Sequence, residues 1–202
     1  MPARKDAVLV GWMGSFESHH GFQDLVSIAR QLQGKGCSRV QFLIIGGGRH
    51  QEELEQQISA DGLQDYFLFC GAVPWNQVPA YMLNAGFCLC LDNRSEENLE
   101  YRNVIGVTQI KVFEYLALGR PVLAQDLGDA REFFETRRIG WVCGCEPQEV
   151  THKIMEIVRN PQQIAAYSNN ALEISRAKYN WPVTAQKIAG FLREFTARTP
   201  AN

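Results

Sequence analysis

Residues 108–124 read TQIKVFEYLALGRPVLA, and the two halves of this segment predict two different elements. Thr108 can cap the start of a helix, and Gly119 can end it, because glycine readily adopts the left-handed backbone that follows a last helical turn. Apolar residues recur between them at helical spacing, namely Ile110, Phe113 and Ala117. A short apolar strand, Pro121–Ala124, follows at once. A helix that leads directly into a buried strand is typical of a parallel sheet built from β-α-β units.

The rest of the chain repeats this alternation. Apolar segments predict strands at Val8–Met13, Val40–Ile45, Tyr66–Cys70, Phe87–Leu91, Pro121–Ala124 and Gly140–Cys143. The first intervening helix places apolar residues on one face, namely Leu25, Ile28, Ala29 and Leu32. Because helical crossovers make successive strands parallel, we expect an α/β fold: a Rossmann-like open parallel sheet of about six strands with helices on both faces.

The predicted organisation also includes a C-terminal helical tail and a long loop. After the last strand, three helical segments predict a C-terminal helical tail, at Pro147–Arg159, Pro161–Lys178 and Pro182–Phe195. The polar segment Asp92–Val107, rich in Asn and Glu, is predicted to be a long loop, and loops of that length in compact domains are usually functional or mobile.

The composition is that of a folded globular protein. With 46% hydrophobic and 21% charged residues, the 202 residues suit one domain, residues 1–202. The net charge is −2 and no basic stripe with interleaved aromatic residues is present, so we expect no nucleic-acid partner. Met1–Asp6 is short and charged, and the apolar run after it is too short for a signal peptide or a membrane span, which favours the cytoplasm.

The cysteine and histidine spacings predict no metal site. The six cysteines form no C-x-x-C pair, and Cys88 and Cys90 alternate with apolar residues, so both thiols should lie on one face of a strand and stay reduced. The histidines match no ligand spacing; they are His19, His20, His50 and His152.

Three groups of glycines directly follow predicted strands: Gly14, Gly46–Gly48 and Gly71. Parallel sheets of this type bind ligands beyond the carboxyl ends of their strands. Gly46, Gly47, Gly48 and Arg49 lead into a predicted helix, where backbone N–H groups can face a phosphate; a tight strand-to-helix turn explains the same glycines equally well. A dinucleotide fingerprint does not fit, because it requires glycine where the chain has Gln51.

Lys111 and Glu114 allow two interpretations. Their spacing is typical of a surface ion pair on a helix. Alternatively, Lys111 in the first helical turn opposes the helix dipole unless an anion lies nearby, and the carboxylate of Glu114 can accept two hydrogen bonds from a ribose diol.

The same segments together resemble the retaining glycosyltransferases of group 1, which have the two-domain GT-B fold. The resemblance covers Val8 to Phe195 and rests on collinear motifs: Gly14-Ser15-Phe16 with His20-Gly21-Phe22, Gly46-Gly47-Gly48, Phe69-Cys70-Gly71-Ala72-Val73, Lys111-Val112-Phe113-Glu114-Tyr115 and Gly119-Arg120-Pro121-Val122. The lysine-containing helix with its following G-x-P-V is the most specific of them.

The resemblance implies a role for each motif. Glu114 would hold the nucleotide ribose, backbone amides around Thr108–Ile110 would meet the diphosphate, and the base would pack near Val73. Lys111 would be the catalytic cation that stabilises the leaving diphosphate. The full set of implied donor-binding residues is Gly14, Ser15, His20, Gly46, Gly47, Gly48, Arg49, Val73, Thr108, Gln109, Ile110 and Glu114.

Three positions depart from the family pattern. The Arg and Lys that usually bind the diphosphate from the first loop are Ser15 and His20 here, so the usual cations of that loop are missing. The first Glu of the family's E-x7-E pair falls on Gly106, so a usual sugar contact is missing.

The resemblance implies a donor-binding domain for polysaccharide biosynthesis. It would bind a nucleotide-diphosphate sugar, a UDP-sugar being favoured, for retaining transfer without metal or cofactor to a glycan or lipid-linked acceptor. An N-terminal domain absent from these 202 residues, or a separate subunit, would hold the acceptor and provide any peripheral membrane association, so we expect no transfer by these residues alone. The alternative is a non-catalytic nucleotide-binding or protein-interaction module with the same fold.

Overall fold

The predicted α/β architecture is confirmed by a computed structural model that describes residues 3–17 and 21–198. Within them, parallel strands form one six-stranded sheet in the order β3-β2-β1-β4-β5-β6. The strands are β1 (Val8–Met13), β2 (Val40–Ile45), β3 (Phe67–Gly71), β4 (Phe87–Cys90), β5 (Val122–Gln125) and β6 (Gly140–Cys143). The strand order reverses between β1 and β4, which is where open α/β sheets form a crevice for ligands.

Helices cover both faces of the sheet and follow its last strand. They are α1 (Asp24–Gly34), α2 (Gln51–Ala60), α3 (Val78–Met82), α4 (Glu96–Ile105), α5 (Ile110–Ala117), α6 (Ala130–Phe134), α7 (Pro147–Ile157), α8 (Pro161–Ala177) and α9 (Trp181–Arg198). The last three confirm the predicted helical tail. Across residues 3–17 and 21–198, no helix combines the length and apolar character needed to cross a bilayer.

The two faces of the strands belong to two separate apolar layers. Phe87 and Leu89 of β4 pack in one layer with the buried face of α1, whereas Cys88 and Cys90 pack in the other with α5. This confirms that both thiols lie on one side of the strand, as the period of two requires. Burial raises the pKa of Cys90 to about 11, against the opposing charge of Lys111, so the thiol stays protonated.

The polar segment after β4 is a helix and not the predicted loop. Ser95 begins α4 by accepting a hydrogen bond from the Asn98 amide at 3.4 Å, two glutamates occupy its first turn, and Gly106 ends it with φ 64°. Sequence reasoning missed this helix because α4 buries none of its residues and therefore has no apolar stripe.

The orientation of α5 also corrects the sequence analysis. Thr108 does not cap the helix; Gln109 precedes the first turn, and its side chain makes no capping hydrogen bond. Ile110 and Ala117 are exposed and Phe113 is half-buried, whereas the buried residues of this helix are Val112, Tyr115 and Leu116. Both sets have helical spacing, so the apolar pattern alone could not decide which face meets the sheet.

The three glycine turns meet at the carboxyl edge of the sheet. The amide of Gly46 donates to the carbonyl of Gly71 at 2.9 Å, and the amide of Gly14 donates to the carbonyl of Ile45 at 3.1 Å. Gly46 has φ 138°, and a Cβ built on it would overlap the carbonyl oxygen of Gly14. Glycine at position 46 therefore allows the turns after β1 and β2 to touch.

We predict that Gly46→Ala destabilises the fold by more than about 2 kcal/mol, because it combines a steric overlap with a backbone conformation that alanine rarely adopts. Gly47→Ala is the matched control, since a Cβ there would first meet the flexible Gln51 side chain at 3.3 Å. Denaturant unfolding of both variants measures the difference. Equal stabilities would show that the backbone here relaxes without cost.

Candidate functional site

A cleft of about 520 Å³ opens between these glycine turns and the first turn of α5. Seven residues that the sequence analysis selected line it together: Gly14, Gly46, Val73, Gln109, Ile110, Lys111 and Glu114. They come from segments up to 100 positions apart, and the parallel sheet brings them to one edge. The cleft therefore gathers the residues of the glycine turns, of the segment after β3 and of the lysine-containing helix.

Five selected residues do not line this cleft. Gly48 packs against the backbone of Phe16, where a Cβ would lie 2.7 Å from the Phe16 amide nitrogen, and Gly47 faces Gln51 and Ala72. The other three are exposed and lie outside the cleft lining, namely Ser15, Arg49 and Thr108. His20, also selected, lies outside the residues that the structure describes.

Sequence reasoning missed six residues of the lining: Met13, Ile45, Ala72, Trp75, Val78 and Arg102. Trp75 lies two positions after the selected Val73, so proximity to that motif was an available signal. Arg102 lies on α4, which was predicted to be a loop, and its position depends on that helix.

Lys111 lines this cleft and has no ion-pair or hydrogen-bond partner among the described residues. Its Nζ is shielded from solvent, has no hydrogen-bond partner among the described residues, and lies 5.6 Å from the ring centroid of Trp12. It belongs to the first turn of α5, where the helix dipole is itself positive and the first N–H groups lack intrahelical partners. Two sources of positive potential thus coincide, and an anion would stabilise both.

Glu114 does not pair with Lys111. In the part of the chain that the structure describes, no ion pair joins the two side chains, so the surface ion pair considered from the sequence is not formed. Instead, the indole N–H of Trp75 donates to Oε1 of Glu114 at 3.4 Å, and the Trp75 side chain is 79% exposed. Glu114 lines the cleft, and a carboxylate has acceptor capacity beyond this one hydrogen bond.

Tyr115 fixes α5 against the sheet. The amide of Met13, the last residue of β1, donates to the Tyr115 hydroxyl at 2.9 Å. Burial raises the pKa of Tyr115 well above its usual value, so the hydroxyl stays neutral. This hydrogen bond holds the second turn of α5 beside the carboxyl end of β1.

Asp92 connects α4 to α5 at the edge of the cleft. Nε2 of Gln109 donates to both carboxylate oxygens, at 2.9 and 2.8 Å, and Nε of Arg102 donates to Oδ1 at 2.8 Å. The backbone amide of Asp92 donates to Oε1 of Gln125 at 2.7 Å. Asp92 lies two residues after Cys90, the last residue of β4, and Gln125 is the last residue of β5, so the ends of two strands position this network.

The backbone at Gly106 disfavours the glutamate that the family pattern expects. Its φ is 64°, and a Cβ there would lie 2.8 Å from Cγ of Asp129. The Asp129 carboxylate occupies the space and accepts a hydrogen bond from the Val107 amide at 2.7 Å. The departure at this position is therefore built into the local backbone.

The chain is similar to known glycosyltransferases. The family model for glycosyl transferases group 1 matches residues 7–160. The chain is 25% identical over 192 residues to the alpha-D-kanosaminyltransferase of Streptomyces kanamyceticus, a match that covers 94% of this chain and 46% of that protein. It is 27% identical over 172 residues to the GDP-mannose-dependent alpha-(1-6)-phosphatidylinositol monomannoside mannosyltransferase of Mycobacterium tuberculosis, covering 84% of this chain and 42% of that protein.

Solved structures show the same fold. Anabaena Alr3699/HepE, crystallised in complex with UDP, superposes with a TM-score of 0.76 at 22% identity, covering 94% of this chain and 49% of that one. The chain thus spans about half the length of the curated relatives and solved structures it matches.

We predict that Lys111→Met leaves the free energy of unfolding unchanged or raises it by about 1 kcal/mol, because it removes a shielded cation that lacks a partner. Denaturant unfolding measures the change. Lys153→Met is the matched control: its ammonium pairs with Glu156 at 2.7 Å, so this variant should lose about 0.2–0.5 kcal/mol. A loss above about 1 kcal/mol for Lys111→Met would instead give the ammonium a structural role over the Trp12 ring.

Proposed function

Because the chain belongs to the group 1 glycosyl transferases, we propose that its cleft binds the nucleotide-diphosphate sugar that donates the glycosyl group. The observation that supports this most directly is the ammonium of Lys111 in the first turn of α5, which is shielded from solvent and has no hydrogen-bond partner among residues 3–17 and 21–198. A buried cation without a partner is costly unless a ligand compensates it. The diphosphate of a donor supplies the compensating charge.

We assign each part of the donor to residues of the lining. The diphosphate lies against Lys111 and the backbone amides that begin α5, close to the turns at Gly14 and Gly46. The ribose diol donates to the carboxylate of Glu114, and the base packs near Val73. Binding of the diol competes with the Trp75 indole N–H for Oε1 of Glu114.

The proposed chemistry is glycosyl transfer with retention at the anomeric carbon. The bond from that carbon to the diphosphate oxygen breaks, and the diphosphate leaves with the electron pair. A bond forms from the same carbon to an acceptor hydroxyl oxygen, whose proton is released. Negative charge develops on the leaving diphosphate, and Lys111 with the first amides of α5 stabilises it, so that neither a metal nor a cofactor is needed.

We propose uracil as the base. Anabaena Alr3699/HepE is solved with UDP, which supports this choice, whereas the mycobacterial relative is by its name GDP-mannose-dependent. The cleft lies at an open edge of the sheet, and its volume of about 520 Å³ accommodates either nucleotide. UDP and GDP are therefore the two ligands to compare.

We further propose that these 202 residues act with an acceptor-binding domain, in the same polypeptide or in a separate subunit. That domain would hold the glycan or lipid-linked acceptor and provide any attachment to a membrane surface. The span of the relatives, about twice the length matched here, supports this proposal. So does the exposed apolar side of α9, which includes Ile188, Phe191, Leu192 and Phe195.

We predict that UDP stabilises the protein by about 2.7 kcal/mol at 100 times its dissociation constant, because only the folded state offers the cleft.

Glu114→Ala should weaken UDP binding at least about tenfold by removing the ribose acceptor, with little change in melting temperature. Isothermal calorimetry and thermal unfolding measure both effects, and GDP and ADP test the base.

Glu173→Ala, which removes an exposed carboxylate from α8, is the matched control and should bind UDP as the parent does. No heat and no melting shift with millimolar UDP, GDP or ADP would contradict donor binding and favour a non-catalytic interaction module. Normal binding by folded Glu114→Ala would remove Glu114 from the site.

We predict that residues 1–202 alone do not transfer sugar, whereas fusion to an acceptor-binding domain, or its addition in trans, restores transfer. Holding both reactants in one geometry contributes up to roughly 7–11 kcal/mol to lowering the barrier, and a donor cleft can position only one of them. Radiolabelled sugar transfer from a UDP-sugar to a purified acceptor measures the difference. Robust turnover without a partner domain would overturn the proposed division of labour.

A further inference from the structure

The loop after β1 offers no permanent cation to a donor. The sequence contains no lysine or arginine between Lys5 and Arg30, a span that includes this whole loop. A diphosphate bound at the carboxyl edge of the sheet must therefore find its positive charge on other segments. Among the described residues that line the cleft, the cationic side chains are Lys111 on α5 and Arg102 on α4.

Arg102 is held in position and keeps unused donors. Its side chain is 17% exposed, and its Nε donates to Oδ1 of Asp92 at 2.8 Å. Its two Nη groups make no hydrogen bond with the other described residues, although the guanidinium carries five N–H donors in a rigid planar fork. That fork matches the oxygens of a phosphate, so an Arg102 fixed at Nε can still grip a phosphate with its Nη groups.

Asp92 does not depend on Arg102 alone for its hydrogen bonds. Nε2 of Gln109 already reaches both carboxylate oxygens, and the Asp92 backbone amide is satisfied by Gln125. Asp92 instead orients the guanidinium beside the cleft, within the same network that holds Gln109 at the start of α5. The network links the position of Arg102 to the turn of α5 that carries Lys111.

We propose that Arg102 is the second cation of the donor site, that it binds the diphosphate together with Lys111, and that it replaces the cations expected on the loop after β1. The proposal rests on the proposed donor binding and assigns a binding residue that the sequence motifs did not reveal. Arg102 contacts the phosphates and not the nucleoside. The residues that contact the nucleoside, Glu114 and Val73, belong to other segments of the lining.

The test compares uridine with UDP in Arg102→Gln. Loss of a charge-assisted contact should lower UDP affinity at least about tenfold, while uridine affinity stays as in the parent. The dependence of UDP affinity on salt should also weaken, because one cation fewer meets the anion. Calorimetry for UDP and competition for uridine give the two affinities. Arg30→Gln, which breaks a surface pair with Asp61 away from the cleft, is the matched control and should bind both ligands as the parent does.

Arg102→Lys is measured in parallel, in case Arg102→Gln does not fold. Lysine keeps the charge but lacks the planar fork that makes two parallel hydrogen bonds to a phosphate, so UDP affinity should fall severalfold with uridine affinity unchanged. For either folded variant, equal losses for both ligands, or no loss, would overturn the role of Arg102. Absence of UDP binding by the parent would instead contradict the donor site as a whole, so the two failures are distinguishable.

Discussion

The candidate site depends on the hydrogen bond from the Met13 amide to the Tyr115 hydroxyl. It joins the end of β1 to Tyr115, a fully buried side chain in the second turn of α5. It therefore fixes the position of that helix relative to the sheet. Lys111 lies four residues before Tyr115, and residues at that spacing share one side of a helix. The position of the ammonium is therefore set by core packing and not by a surface loop.

A second constraint acts at the end of β4. Asp92 is nearly buried and receives donors from Gln109 before α5 and Arg102 on α4. A buried carboxylate requires such donors, because an unpaired charge in this environment would be strongly destabilising. Asp92 thus links both helices to the end of the sheet. The geometry of the site is largely formed before a ligand binds. Preorganisation of this kind reduces the entropy lost on binding.

Much of the fold could be predicted because buried parallel strands and amphipathic helices leave periodic patterns. All six strands appear in the sequence, and β1, β2 and β6 have the predicted bounds. The helix α4 could not be predicted in this way, since it buries none of its residues. For the same reason Arg102 was missed as a lining residue, whereas the glycine turns and the start of α5 were found from motifs that report local backbone geometry.

Helix α4 links the departures from the family pattern, which lie at Gly106 and in the loop after β1. This helix ends at Gly106, where the Asp129 carboxylate fills the space that a glutamate would need, and the chain then turns directly into Gln109 and α5. A side chain at position 106 could reach a sugar only by displacing that carboxylate, which also holds the Val107 amide. The polar groups on this side of the cleft must therefore come from the body of α4 and from the first turn of α5. The positive charges therefore lie on α4 and α5, two helices that are linked through Asp92. The positive potential of the cleft depends on residues 92–117 more than on the loop after β1.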